Sequence, residues 1–104
     1  MAYLIEFAES VKDQLRSLSA RERAIVFESI EEQLIYEPLT ETRNRKPLRE
    51  NPIAPWELRI GFLRVFYEVV ALEPNVVRIL AVGRKEGNKL IIAGQEVELE
   101  YEND

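Results

Sequence analysis

The spacing of apolar residues assigns a strand and a helix to the start of the chain. Every second residue from Tyr3 to Phe7 is apolar, which predicts a first β-strand. Val11, Leu15 and Leu18 then recur at helical spacing and predict a first helix. The period therefore changes from two to about 3.6 within a few residues, and this change places a strand directly before a helix.

A second helix is predicted from residue 20 onward. Ser19-Ala20-Arg21-Glu22 matches a capping box, and the apolar positions that follow form a broad stripe to about Glu37. Pro38 ends this helix, because it biases the preceding residue out of the helical region. We expect the two helices to form an antiparallel hairpin. Residues 39 to 55 contain three prolines and a basic cluster, so they are expected to form an irregular connection.

Beyond the connection the apolar period becomes two. Trp56, Leu58 and Ile60 share one face of a predicted strand, and residues 63 to 69 follow the same pattern. Gly61-Phe62 suits a type II′ turn, which has glycine at its first central position. This turn predicts three apolar cross-strand pairs: Ile60 with Leu63, Leu58 with Val65, and Trp56 with Tyr67.

A third strand is predicted from Val76 to Val82 after a turn at Glu73-Pro74-Asn75. The segment from Lys89 to Leu99 is expected to add a small hairpin around Ala93-Gly94. The elements together predict an α+β fold: an N-terminal strand, a two-helix hairpin, and a three-strand antiparallel meander that completes a twisted sheet. We expect a single domain over residues 1–104, with residues 90–104 as a C-terminal hairpin or tail.

Composition removes several classes of site chemistry. The 104 residues include no cysteine and no histidine. The chain therefore has no disulfide framework, no thiolate nucleophile, no Ser-His-Asp triad and no zinc site of the usual Cys/His kind. No apolar stretch is long enough to span a membrane, and the N-terminus lacks a basic signal region. We expect a cytoplasmic protein without metal, cofactor or membrane partner.

Charge is distributed unevenly along the chain. The net charge is −5, which by itself argues against nucleic-acid binding. However, residues 43–64 carry +4 and residues 78–89 carry +3, while residues 1–42 and 90–104 carry −5 each. Positive charge is thus confined to two segments. We interpret the acidic residues after Gln95 as a solvated strand face and a frayed end, with partner binding as the alternative.

The predicted register brings the two basic segments together. It places Arg59 directly opposite Arg64, at a spacing where like charges repel. A loop of Leu72 to Asn75 pairs Ala71 with Val76 and brings Gly83 opposite Arg64. Basic residues that follow or precede these strands are expected near the same point: Arg84, Lys85, Lys46 and Arg49. Such a cluster favours a phosphate or a nucleic-acid strand as ligand.

Two less specific interpretations remain open at this stage. The alternative for the arginines is a set of ordinary surface ion pairs with Glu57, on the same strand face, and with Glu68, on the partner strand. Trp56 is expected in the core rather than in a base-stacking platform. Phe66, on the arginine face, is the better stacking candidate, but it is equally suited to pack under the connection.

The chain resembles the RelE/ParE toxin superfamily. Four segments carry the resemblance over nearly the whole chain to about residue 89: Arg45-Lys46-Pro47-Leu48-Arg49, Trp56-Glu57-Leu58-Arg59-Ile60-Gly61, Arg64-Val65-Phe66-Tyr67-Glu68-Val69 and Val77-Arg78-Ile79-Leu80-Ala81-Val82-Gly83. RelE-like members of this superfamily cleave mRNA in the ribosomal A site, ParE-like members poison DNA gyrase, and both are neutralised by a cognate antitoxin. Fold alone does not decide between these targets.

The resemblance implies roles for the basic residues. RelE-like cleavage is attack of a ribose 2′-hydroxyl on the adjacent phosphate, which requires cations at the transition state and groups that accept and donate a proton. Arg64 matches the family arginine that opens its strand, Arg59 falls on a basic position of the preceding strand, and Arg84 or Lys85 matches the basic residue after the last glycine. The RNA-binding residues implied are Arg45, Arg49, Lys85 and Phe66.

The sequence departs from the RelE-like pattern at the residues for proton transfer. Glu57 stands where relatives often have a second basic residue, and Ile91 and its neighbours stand where relatives have Tyr or His. Glu57 or Lys46 then remains as the general base. The chain is expected to be a toxin that cleaves mRNA on the ribosome, with a ParE-like gyrase inhibitor or a non-catalytic interaction module as the alternative, so enzymatic activity stays open.

Overall fold

The fold is a single mixed sheet with two helices packed on one face. The computed structural model describes residues 2–70 and 74–98. Within these residues the elements follow one another as β1 (Leu4–Phe7), α1 (Val11–Arg16), α2 (Ala20–Leu34), β2 (Arg45–Pro47), β3 (Trp56–Ile60), β4 (Leu63–Val70), β5 (Val76–Glu86), β6 (Lys89–Ile92) and β7 (Gln95–Val97). The α+β class and the predicted meander of β3, β4 and β5 are confirmed.

The sheet has more strands than the sequence predicts. Its order is β2-β3-β4-β5-β6-β7, and β1 lies parallel to the first half of β5. β2 forms inside the connection that was expected to be irregular, because its three residues pair with β3. The hairpin expected around Ala93-Gly94 is present as β6 and β7. The tail positions Glu100, Glu102 and Asp104 lie outside the described residues.

Local signals place the starts of both helices as expected, but α1 ends at Arg16, before the predicted Leu18, and α2 also ends early. Ser19 Oγ accepts a hydrogen bond from the Glu22 amide at 3.1 Å, and the Ser19 amide donates to Glu22 Oε1 at 2.9 Å, which completes the capping box. The second helix ends at Leu34 rather than near Glu37. The Ile35 carbonyl accepts a hydrogen bond from the Tyr3 amide at 2.8 Å, so a contact with the start of β1 follows the last turn.

The register of the central hairpin agrees with the prediction. Ile60 pairs with Leu63 across a turn in which Gly61 has a φ of +58°, the left-handed conformation that a type II′ turn requires. Arg59 therefore lies opposite Arg64. Gly83 also lies opposite Arg64, on the other neighbouring strand, as predicted. At the start of β5, however, Val76 pairs with Val70, which is a different register, so the predicted pairing of Ala71 with Val76 is wrong by one residue.

A bulge reconciles these two pairings. Phe66 pairs with Ala81 while Tyr67 pairs with Ile79, so Leu80 is an extra residue in β5. The extra residue shifts the register by one and brings Gly83 opposite Arg64. β5 then continues to Glu86, four residues beyond the predicted end at Val82.

Each face of the sheet has its own apolar cluster. The helix face carries the main core, in which Tyr67 is fully buried and Trp56 stacks on it with ring centroids 6.1 Å apart. The opposite face, here the loop face, carries a smaller cluster covered by the connection and by the β6–β7 hairpin. Its fully enclosed members are Ala54, Phe66, Ala81 and Leu90. In the part of the chain that the structure describes, no helix is long and apolar enough to cross a membrane.

Candidate anion-binding site

Arg59, Arg64 and Glu57 form a compact charged cluster on the loop face. The register places Arg59 and Arg64 on directly opposed positions of β3 and β4. Glu57 Oε1 lies 3.1 Å from Arg59 Nε and 3.7 Å from Arg64 Nε. The carboxylate therefore lies between two guanidinium groups that would otherwise repel each other. The three side chains together carry a net charge of about +1.

Glu57 is the buried member of this cluster. Its side chain has no exposed surface, whereas Arg59 is 31% exposed and Arg64 is 14% exposed. Glu57 Oε2 has no hydrogen-bond partner among the described residues. Burying a carboxylate is costly unless opposite charges compensate it. The arginines thus stabilise Glu57 in its buried position, and Glu57 in turn fixes where both arginines lie.

Hydrogen bonds to the β3–β4 turn hold Arg64 in place. Its Nη1 donates to the Gly61 carbonyl at 2.7 Å and to the Leu63 carbonyl at 2.8 Å. Arg64 Nε is buried and makes no hydrogen bond to the residues that the structure describes. The side chain is consequently preorganised by its own strand and turn, with a buried donor facing the Glu57 carboxylate at 3.7 Å.

Lys46 and Lys85 lie beside the cluster. Lys46 is directly opposite Glu57 across β2 and β3, is about one-third exposed, and its Nζ lies 3.6 Å from Glu41 Oε2. Lys85 shares the loop face with Gly83 because the two residues are two positions apart in β5. Its amide donates to the Phe62 carbonyl at 2.7 Å, which ties the end of β5 to the β3–β4 turn.

Arg49 belongs to the connection that covers the loop face. The Asn51 side chain organises this part of the connection. Its Nδ2 donates to the Arg49 carbonyl at 2.6 Å and to the Ala54 carbonyl at 2.8 Å. Its Oδ1 accepts from the Ile53 amide at 2.7 Å and from the Ala54 amide at 3.0 Å. Sequence reasoning missed this residue. The available signal was an asparagine directly before a proline, where side-chain bonds to nearby backbone are common.

Two of the expected cations lie elsewhere. Arg84 pairs with Leu63 on the helix face, where its Nη2 lies 2.8 Å from Glu22 Oε1 and its guanidinium carbon lies 5.8 Å from the centre of the Phe62 ring. Its position follows from strand alternation, since Arg84 is one residue beyond Gly83. Counting by two along β5 would have separated Arg84 from Arg64.

Arg45 is a structural residue on the helix side of β2. It is 9% exposed, and its guanidinium donates to the Gln33 carbonyl at 2.7 Å and to the Thr40 carbonyl at 2.9 Å. These bonds connect the end of α2 to the connection. Burial raises the pKa of the neighbouring Tyr67 hydroxyl, while the Arg45 charge opposes this shift. Tyr67 keeps its proton and donates to the Pro38 carbonyl at 2.6 Å.

Phe66 packs under the connection, which is the second of the two expectations for this residue. It has no exposed surface and contacts the loop-face cluster. A base therefore has no access to its ring. Glu68 does not pair with the central arginines either, because its Oε2 lies 3.2 Å from Arg78 Nη1. Of the two ion pairs considered from the sequence, the one with Glu57 is therefore present, with a buried rather than a surface carboxylate, and the one with Glu68 is made by Arg78 instead.

The cluster can bind an anion through the exposed parts of Arg59, Lys46 and Lys85, with Arg64 behind them. It contains no hydroxyl or thiol side chain. Among the described residues no group of three His, Cys, Asp or Glu side chains is arranged to hold a metal ion. The chemistry of its arginines is electrostatic: they can orient a phosphate and stabilise negative charge that develops on it.

The comparisons with known proteins point to one kind of complex. No model of a protein family matches the sequence, and no curated protein matches it. Among solved structures, the chain is similar to a chain of the toxin–antitoxin complex RelBE2 from Mycobacterium tuberculosis. The two are 30% identical, the match covers 82% of this chain and 100% of that chain, and the TM-score is 0.69.

Proposed function

The chain belongs to the RelE/ParE superfamily of toxin–antitoxin toxins, and we propose that it acts as a toxin by cleaving mRNA on the ribosome. The observation that carries the proposal is the opposed pair Arg59 and Arg64, held by the buried Glu57. Two guanidinium groups at one point, in a chain of net charge −5, are suited to a phosphodiester.

The proposed reaction needs only groups that the RNA and these side chains supply. The ribose 2′-oxygen attacks the adjacent phosphorus, the bond from phosphorus to the 5′-oxygen breaks, and a cyclic phosphate forms. The proton of the 2′-hydroxyl passes to a base, and the departing 5′-oxygen takes up a proton. Arg59 and Arg64 stabilise the negative charge on the phosphate oxygens in the transition state.

The positions of the side chains divide the remaining roles. Glu57 is enclosed behind the arginines, so we assign it to positioning them rather than to accepting the proton. Lys46 is the accessible group beside the cluster and is our candidate for proton transfer. Lys85 and Arg49 are assigned to the RNA backbone. Arg45, Arg84 and Phe66 are left out of the site, because the first two are bonded elsewhere and the third is buried.

The proposed partners are an antitoxin, the ribosome and mRNA. The RelBE2 similarity supports the antitoxin, since that chain was solved as part of a toxin–antitoxin complex. Several large apolar side chains of the present chain are exposed and supply surface for such a partner: Leu4, Phe27, Tyr36, Leu39 and Phe62. We expect the protein to co-purify with the product of a neighbouring gene.

Primer extension on mRNA in a reconstituted translation system tests the cleavage. We expect cuts within codons that require both ribosomes and Arg64, and loss of the cuts in Arg59→Ala and Arg64→Ala. Arg78→Ala is the matched control, because it removes the same charge from the far end of the loop face, where Arg78 pairs with Glu6 and Glu68. Cleavage by Arg64→Ala at the wild-type rate would contradict the assignment.

One observation favours a second candidate function. The structure engages Arg84 with Glu22 and buries Phe66, which leaves fewer RNA contacts than the sequence predicts. This favours a gyrase inhibitor or a non-catalytic interaction module of the same fold. Inhibition of gyrase supercoiling with intact mRNA would identify the former, and antitoxin binding without growth arrest would identify the latter.

A further inference from the structure

The β6–β7 hairpin lies against the loop face directly beside the arginine cluster. Gly83 is the residue across from Arg64, and the hairpin leaves no room above it. A Cβ atom at Gly83 would overlap the Ile91 carbonyl and would lie 2.8 Å from Ile92 Cγ1. The Ile92 side chain thus occupies the space over Gly83 that a ligand approaching Arg64 along β5 would need.

Apolar contacts hold the hairpin in this position. Leu90 is 2% exposed and belongs to the loop-face cluster with Phe66 and Ala81. Ile92 and Val97 are partly buried against the same cluster. Only one side chain of the hairpin is therefore fully enclosed. β6 pairs with only the last three residues of β5, and an edge hairpin with so short a pairing and so small an anchor belongs to the parts of a protein that open first.

The turn of the hairpin weakens it further. Ala93 has a φ of +52° and Gly94 a φ of +79°, the pattern of a type I′ turn in which both central residues are left-handed. Among the described residues Ala93 is the only non-glycine residue with positive φ. Asparagine and glycine adopt this conformation readily, whereas alanine is strained in it. Formation of the hairpin therefore requires Ala93 to adopt a strained backbone conformation, which destabilises the hairpin.

Charge acts in the same direction as the packing. Residues 90–98 contain two acidic residues, Glu96 and Glu98, and no basic residues, and they follow immediately after the basic segment 78–89. A segment of net charge −2 joined to β5 lowers the positive potential of the neighbouring cationic cluster. An RNA phosphate is thereby disfavoured sterically by Ile92 and electrostatically by the segment that contains it.

We propose that the β6–β7 hairpin is an autoinhibitory cap on the phosphate site formed by Arg59 and Arg64. This inference rests on the proposed function, since it assigns regulation to the same site. RNA reaches Arg64 only in molecules whose hairpin has opened, so the affinity that depends on Arg64 is reduced according to the fraction of open molecules. The strained Ala93 turn and the single enclosed anchor Leu90 set that fraction.

Two substitutions shift the hairpin in opposite directions without touching the arginine cluster. Ala93→Asn relieves the turn and should close the hairpin, with RNA affinity about fivefold weaker. Ile92→Ser removes the side chain over Gly83 and should open it, with affinity about tenfold tighter. Binding of a short fluorescein-labelled single-stranded oligoribonucleotide is measured by anisotropy on the full chain. Hydrogen exchange of the β6 amides reports opening independently.

Matched controls separate the cap from general loosening. Ile53→Ser removes a partly buried isoleucine from the same cluster on the side of the connection, and should leave the affinity unchanged. Adding Arg64→Ala to Ile92→Ser should remove the gain. The proposal is overturned if Ile53→Ser tightens binding as much as Ile92→Ser does.

Other outcomes distinguish a failure of the cap from a failure of the proposed RNA site. If the β6 amides of Ile92→Ser exchange faster while Arg64-dependent affinity stays at the wild-type value, the cap is wrong and the RNA site stands. If no variant binds RNA with the hairpin open, the RNA site fails and the cap fails with it. Should Ile92→Ser not fold, Ala93→Asn decides alone: slower β6 exchange without weaker binding rejects the cap.

Discussion

At the scale of single residues, the charged cluster depends on one buried carboxylate. Glu57 is fully enclosed between Arg59 and Arg64, and the register gives these arginines no way to avoid each other. Removing the negative charge leaves two opposed guanidinium groups with only partial access to water. Glu57 therefore determines both the stability of the β3–β4 hairpin and the geometry of the phosphate site.

We predict that Glu57→Gln lowers the free energy of unfolding by about 2 kcal/mol and abolishes mRNA cleavage. The size of the side chain is retained, so the loss comes from the charge. Urea denaturation measures the stability, and primer extension measures the activity. Glu68→Gln, on the same face but partly exposed, should cost less than about 0.5 kcal/mol. Equal losses in the two variants would show that Glu57 has no special role.

At the scale of elements, the start of α2 and the end of β5 are joined by an ion pair. Glu22 completes the capping box of α2, and its Oε1 also lies 2.8 Å from Arg84 Nη2. The hydrogen bond from the Ser19 amide, followed by the charge of Arg84, lowers the pKa of the Glu22 carboxyl below its usual value. The same carboxylate thus serves a local and a tertiary contact.

This lowered pKa predicts a loss of stability in acid. The ionised Glu22 contributes its stabilisation above the pKa of an unfolded glutamate, near 4.5, and loses it as the pH falls through the lower folded value. We expect Glu22→Gln to reduce the difference in unfolding free energy between about pH 7 and pH 3. Glu28→Gln, exposed on the same helix, serves as control. An unchanged pH dependence in Glu22→Gln would contradict the assignment.

The two glycines that flank the site are required for different reasons. A Cβ at Gly61 meets nothing within 4 Å, so Gly61→Ala suffers only the strain of its positive φ, about 1 kcal/mol. Gly83 has no such φ, but its Cβ would strike the backbone of Ile91. We predict that Gly83→Ala costs about 2 kcal/mol and displaces the β6–β7 hairpin.

Denaturation and hydrogen exchange separate these two effects. In Gly83→Ala the β6 amides should exchange faster while the amides of β3 and β4 change little. In Gly61→Ala the amides of β3 and β4 should exchange faster while the β6 amides change little, since the strain lies in the β3–β4 turn. Protected β6 amides in Gly83→Ala would show that the backbone of Ile91 yields without displacing the hairpin.

At the scale of the whole molecule, an acidic protein carries a small cationic site. Positive charge is concentrated in residues 43–64 and 78–89, and the sheet places parts of both segments on the loop face. The site is small compared with the surface of a general nucleic-acid-binding protein. Its contribution to RNA binding should therefore come from few phosphate contacts.

We predict a shallow salt dependence of RNA binding. If Arg59, Arg64, Lys85 and Arg49 contact phosphates, log K should fall against log salt with a slope of about −3, and Arg64→Ala should reduce the magnitude of the slope by about 0.7. Anisotropy titrations at several salt concentrations measure both values. A slope that Arg64→Ala leaves unchanged would place the phosphates elsewhere on the molecule.

Much of the architecture was predictable because its causes are local. The capping box of Ser19 and Glu22, the turn at Gly61-Phe62 and the period of two in β3 and β4 depend on neighbouring residues. The Gly61-Phe62 turn determines that Arg59 pairs with Arg64 across the two strands, so the centre of the candidate site was predictable as well. A left-handed glycine between two alternating apolar runs leaves little choice of register.

The surroundings of that centre were decided by tertiary contacts. Sequence alone indicates that Glu57 and Phe66 share a face with the arginines, but not that the connection and the β6–β7 hairpin bury them. The bulge at Leu80 is likewise invisible in the strand pattern. Alternation along a strand is a property of the backbone and can be counted from the sequence. Burial depends on which distant segments of the chain pack on each face, and only the folded sheet determines that.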